Sequence, residues 1–124
     1  MDRPLLLSIV EMGGYPDFRP LYEACGYRVR VERRMRKAMA VIRKERPAVI
    51  VAEFNFQSDF RDRTSSLESM LSVAERLPDT RVIVFYDREY EHQFDRLRAT
   101  RDFWRSFCFP VPEEELAASL QASP

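Results

Sequence analysis

Three carboxylates each close an apolar run. Glu11 follows Leu5 to Val10, Glu53 follows Ala48 to Ala52, and Asp87 follows Val82 to Tyr86. If those runs are parallel strands, all three acids project from one edge of a sheet, where open α/β folds bind ligands. Three acids there could hold a divalent cation, which takes hard oxygen ligands. The spacing is not diagnostic, and Asp87 can equally point away. Gly13-Gly14, just after the first run, would let backbone amides approach a phosphate. No GxGxxG or P-loop pattern accompanies it, and a plain turn is the simpler reading. The single histidine, His92, stands near no Ser or Cys nucleophile in a recognisable motif, which excludes a catalytic triad. The two cysteines, Cys25 and Cys108, have neither CxxC nor metal-ligand spacing and read as small buried apolar side chains.

Two further groups concern binding. Arg28, Arg30, Arg33, Arg34, Arg36, Lys37, Arg43, Lys44 and Arg46 concentrate positive charge on one strand and the helix after it. A solvated helix face is the ordinary outcome; an acidic protein surface or a nucleic-acid backbone is the alternative. No nucleic-acid-binding motif supports the latter. Tyr86, Tyr90, Phe94, Phe103, Trp104, Phe107 and Phe109 crowd the region from the fourth strand to the fifth. Some must be core. Tyr90, Phe94, Phe103 and Trp104 are the candidates for a partner or homodimer surface, because aromatics are enriched at interface centres.

The whole chain limits these options. Its 124 residues make one domain, 1–124, able to bury a real core. Twenty basic and twenty acidic residues cancel, so no net field draws it to nucleic acid or membrane. The basic residues are Arg except for Lys37 and Lys44, a bias read as compositional. No run reaches transmembrane length, and the N-terminus lacks the long apolar region of a signal peptide. A cytoplasmic protein is expected.

The elements that would position the acids follow from periodicity. Leu5 to Val10 and Ala48 to Phe54 are near-continuous apolar runs, suited to strands buried on both faces, and so is Val82 to Tyr86. Tyr27 to Val31 alternates, which suits an edge strand. Ser106 to Phe109 is a short fifth strand. Between them lie helical patterns. The first is capped by Asp17 and ended by Gly26. The second spans Glu32 to Glu45, with Met35, Ala38, Met39 and Ile42 on one stripe and Pro47 as a stop. The third carries Leu67, Met70, Leu71 and Ala74, with Thr64 or Ser65 as cap and Glu68 as capping-box partner. The fourth carries Tyr90, Phe94 and Leu97. The fifth, from Pro112 to Gln121, opens on three glutamates that suit the helix dipole. Asn55 to Arg63, with Phe56 and Phe60, reads as a long loop. Strict β/α alternation predicts an α/β three-layer fold: a doubly wound five-stranded parallel sheet of flavodoxin-like order 2-1-3-4-5.

Three segments resemble the response-regulator receiver (CheY-like) family: Arg46 to Glu53, Thr80 to Tyr86, and Phe107 to Leu116. The last is similar to the family's strand-Lys-Pro-Phe ending with an acidic helix start. The resemblance implies a magnesium-binding acid pair after the first strand and a phosphate-accepting aspartate after the third. It also implies a Ser or Thr after the fourth strand and a Lys, then a Pro, at the fifth. In this chain those positions are Glu11-Met12, Glu53, Tyr86 and Phe109-Pro110. Only Pro110 keeps its identity, and the resemblance implies a cis bond before it.

The departures have physical consequences. One carboxylate is a weak magnesium site. A phosphoryl group brings negative charge that neither Tyr86 nor Phe109 would neutralise. Glu53, longer than Asp and charged, could mimic a phosphorylated aspartate, but the partners such a mimic needs are missing; a partly solvated glutamate is the simpler reading. The expectation is therefore a pseudo-receiver: no enzyme activity, no cofactor, no resident metal, and a regulatory protein–protein interaction role independent of phosphorylation. With no output domain in view, signals would pass through a surface, with the face from the fourth to the fifth helix as the candidate dimer contact. The alternative is a flavodoxin-like protein that binds a small ligand or divalent metal through Glu11, Glu53, Tyr86 and Asp87.

Overall fold

The computed structural model describes residues 3–55 and 66–121. The strands are β1 (Leu5–Ile9), β2 (Arg28–Glu32), β3 (Val49–Glu53), β4 (Arg81–Tyr86) and β5 (Arg105–Cys108). They alternate with helices α1 (Arg19–Ala24), α2 (Met35–Glu45), α3 (Ser66–Ala74), α4 (Glu91–Thr100) and α5 (Glu113–Gln121). A 3-10 turn, Arg88–Tyr90, leads into α4. All strand pairs are parallel and the order is β2-β1-β3-β4-β5, as the β/α alternation predicts.

The period of two along each strand sorts side chains between two cores. Leu5, Leu7, Ile9, Ile50, Ala52, Val82, Val84 and Tyr86 face α2, α3 and α4. Leu6, Val49, Val51, Ile83 and Phe85 face α1 and α5. Every residue of β1 and β3 is buried, the expected result for strands covered on both faces. On α2, Ala38 and Ile42 are buried while Met35 and Met39 pack at the core margin. The α3 stripe Leu67, Met70, Leu71 and Ala74 is buried throughout. Its predicted caps, Thr64 and Ser65, and the aromatics Phe56 and Phe60 lie outside the described residues.

Turn chemistry follows the backbone's needs. Gly26 has φ +97°, a left-handed conformation after α1 that glycine adopts without a Cβ clash. Asp17 accepts the Arg19 backbone N–H at 3.0 Å, although α1 proper begins only at Arg19. The second helix is shorter than its pattern, starting at Met35 instead of Glu32, because Glu32 is the last residue of β2. Arg28 and Arg30 on the edge strand β2 pair with Glu45 of α2 at 3.9 and 3.0 Å. Charged edges of this kind discourage strand addition. Cys25 and Cys108 are free and half-buried, each packed at the margin of a different core. Among the described residues no helix is long and apolar enough to cross a membrane.

Candidate functional site

The C-terminal edge of β1, β3, β4 and β5 gathers Glu11, Met12, Glu53, Tyr86, Phe109 and Pro110. Glu53 closes β3 with only 4% exposure. That corrects the expectation of a partly solvated carboxylate. A buried carboxylate requires partners, and Glu53 has three. Its Oε1 accepts the backbone N–H of Met12 at 3.0 Å and of Gly13 at 3.3 Å, and the Asn55 side-chain amide at 3.3 Å. Gly13 and Gly14, at φ +80° and +92°, turn the loop so that its amides face the acid. The acid thus ties the loop after β1 to the end of β3.

Glu11 has a different environment. Both of its oxygens accept from the Ser66 hydroxyl, at 3.1 and 3.0 Å, which joins the β1 loop to the start of α3. Its pKa is raised, first by burial and then by the negative charge of Glu53, with the Ser66 bond opposing. Asp87 is exposed, and its Oδ1 accepts the Glu89 backbone N–H at 2.9 Å and caps the 3-10 turn. Among the described residues no three Asp, Glu, His or Cys side chains converge as a metal site. Met12 is an apolar side chain, 67% exposed, in place of a second acid. The donor set present does not fit the magnesium ion that the resemblance implies.

The other half of this edge is aromatic. Tyr86 is 7% exposed and stacks on Phe94, centroids 4.3 Å apart at 19°. The Arg98 guanidinium lies over both rings, at 5.6 and 5.0 Å, and pairs with Asp95. Burial raises the Tyr86 pKa and keeps a neutral phenol. Phe109 is 40% exposed and meets the edge of Tyr15, whose ring also packs on Phe85 at 5.4 Å. Burial and then the charge of Glu53 push the Tyr15 pKa up. The Phe109-Pro110 bond is cis.

Of the interface candidates, Tyr90, Phe103 and Trp104 are half-buried. Phe94 is 0% exposed, sealed between Tyr86, Phe54 and Phe103, so it is a core residue and no interface anchor. Its place on the inward stripe of α4 is the reason. Trp104 lies between the guanidinium groups of Arg81 and Arg105, at 4.5 and 5.2 Å.

The architecture matches solved structures closely. A response regulator receiver domain from Clostridium thermocellum superposes with a TM-score of 0.72, covering 94% of this chain and 90% of that one at 12% identity. The Vibrio cholerae chemotaxis protein CheY4 gives 0.71, 96%, 97% and 17%. The receiver domain of an HD domain-containing protein from Pseudomonas fluorescens Pf-5 gives 0.71, 96%, 92% and 13%. The fold is that of a receiver domain. No family model and no curated protein matches the chain. At these identities the likeness concerns fold alone, and function must be argued from the site.

Within the receiver fold, Tyr15, Asn55 and Ser66 escaped the sequence reading. Tyr15 sat in an apparent turn, Asn55 in an apparent loop, and Ser66 beside a predicted cap. Tyr15 and Ser66 act through contacts far apart in the chain that no local pattern marks, and Asn55 bonds to Glu53 two residues before it.

Proposed function

We propose that this chain is a pseudo-receiver: a receiver-family module that regulates by protein–protein contact and carries out no phosphoryl transfer. The observation that carries this reading is the state of Glu53. The side chain at the phosphoacceptor position is buried and spends one oxygen on three N–H donors of its own chain. It acts as a loop clasp. The positions that would bind the phosphoryl charge hold a buried phenol, Tyr86, and an apolar ring, Phe109. The guanidinium beside them, Arg98, lies over the Tyr86 and Phe94 rings and is paired with Asp95.

The partner surface we propose is the rim of this closed pocket. Met12 and Phe109 are the exposed large apolar side chains among the described residues. With Tyr15, Phe54 and Tyr90 they line one shallow hollow of about 220 Å³. Asn55 and Asp87 share the lining, and exposed apolar side chains rimmed by polar groups are a usual mark of a contact site.

Incubating the protein with magnesium and acetyl phosphate tests this reading by intact mass, with beryllofluoride and light scattering alongside. The expected result is no phosphoryl adduct, no change in Tm and no change in assembly size. A phosphoryl adduct that disappears in Glu53→Gln would overturn it.

A further inference from the structure

Beside the closed pocket, the ends of β1, β2 and β3 and the starts of α1 and α2 enclose a cavity of about 610 Å³. That is the size of a small-molecule site. Its floor is apolar and aromatic, built on Ile9, Val51, Phe18 and Tyr22. Its rim is cationic. Arg33, Arg34 and Lys37 line it, and none of the three forms an ion pair with any described residue. The acids that also line it are occupied. Asp17 pairs with Arg19 at 3.1 Å, Glu32 with Arg30 from outside the cavity at 3.0 Å, and Glu53 holds its three N–H donors. Three cations with no ion-pair partner among the described residues therefore stand at one mouth, against the single carboxylate of Glu53 that no cation pairs there.

Ser8 supplies a second, independent sign. It lines the cavity at 9% exposure, and its hydroxyl has no hydrogen-bond partner among the described residues. The hydroxyl opens into the cavity, so a ligand atom seated there could bond to it as donor or acceptor. The first turn of α2 contains no acid, so nothing there offsets the positive end of its dipole.

We propose that this cavity binds a phosphorylated small molecule of nucleotide size. Its phosphates would meet Arg33, Arg34 and Lys37, whose guanidinium and ammonium groups make charge-assisted bonds to phosphate oxygens. Its planar or sugar body would lie over Tyr22 and Phe18 and reach the Ser8 hydroxyl. The site does not depend on phosphoryl chemistry at Glu53, although that carboxylate forms part of its wall.

Calorimetric titration of the full chain with ribonucleoside diphosphates, inorganic pyrophosphate and the free nucleosides tests the assignment. At least one nucleoside diphosphate should bind saturably, more tightly than pyrophosphate or its own nucleoside, and more weakly as salt rises. The triple variant R33A/R34A/K37A should lose at least about tenfold in affinity, the scale of a single charge-assisted contact. R36A/R43A/K44A removes the same charge from the same helix outside the cavity and should bind as the parent does. All six positions are exposed, so both variants should fold, and an unchanged Tm checks this. Absence of saturable binding by every diphosphate overturns the proposal. So does equal weakening in the two triple variants, which would reduce the effect to bulk charge. Pyrophosphate binding as tightly as the nucleotides would overturn the role given to the aromatic floor.

Discussion

Over β3, β4 and β5 the edge of the sheet is closed: Glu53 is bonded to its own loop, Tyr86 is stacked on Phe94, and Tyr15 leans on Phe109. Over β1 and β2 the same edge is open: around a cavity stand three cations that form no ion pair with any described residue, and a serine hydroxyl lines its wall. Both halves stand where strand ends meet loops, the position that open α/β folds use for ligands. They differ in what the polar groups do. In the closed half the polar groups described here bond mainly to one another, and rings fill the places where a charged ligand would need partners. In the open half Arg33, Arg34 and Lys37 form no ion pair with any described residue.

The contrast is broken most severely through Phe94. Phe94→Ala removes the ring under Tyr86 and should cost about 3–5 kcal/mol, the range for a buried phenylalanine. Chemical denaturation measures it, and a loss under 1 kcal/mol would mean that the closed half is loosely packed. Glu53 comes next. Glu53→Ala leaves the Met12 and Gly13 amides without their acceptor and should cost about 2–3 kcal/mol. Glu53→Gln keeps an accepting oxygen and should cost less than half of that. Equal losses in the two variants would show that charge, and not the clasp, is what matters at this position.

The smallest effect belongs to Glu11. Its folded-state pKa lies above the ordinary carboxylate value, so in that window the native state binds more protons than the unfolded state. Stability then falls as pH rises through the raised pKa. Glu11→Gln removes the ionised form and its repulsion from Glu53, and should raise Tm slightly at neutral pH. The gain should shrink as pH falls through the carboxylate range, where the parent becomes protonated too. A Tm difference that is flat with pH would assign the effect to the Ser66 hydrogen bonds instead.

The legible part of this fold was the part governed by period. Continuous apolar runs at Leu5 to Val10 and Ala48 to Phe54 meant strands covered on both faces, and strict β/α alternation led to the sheet order. The glycine at 26 and the stripe from Leu67 to Ala74 could be placed by local chemistry alone. Phe94 was legible as a helix-face residue, but its apparent second role at an interface was not tenable once α4 was packed. The burial of Glu53 was hidden because its donors, at positions 12 and 13, lie about forty residues away.

The basic cluster shows the same division. Its composition was plain in the sequence, yet it read as one face. Packing splits it: Arg28 and Arg30 are drawn to Glu45, while Arg33, Arg34 and Lys37 are left around a cavity. By itself the sequence determined the β/α order and the buried faces, because these depend on residue type and short-range periodicity. Only the tertiary structure decided which charges are satisfied and which are idle. That depends on distances between strand ends and loops far apart in the chain, and local pattern carries no information about them.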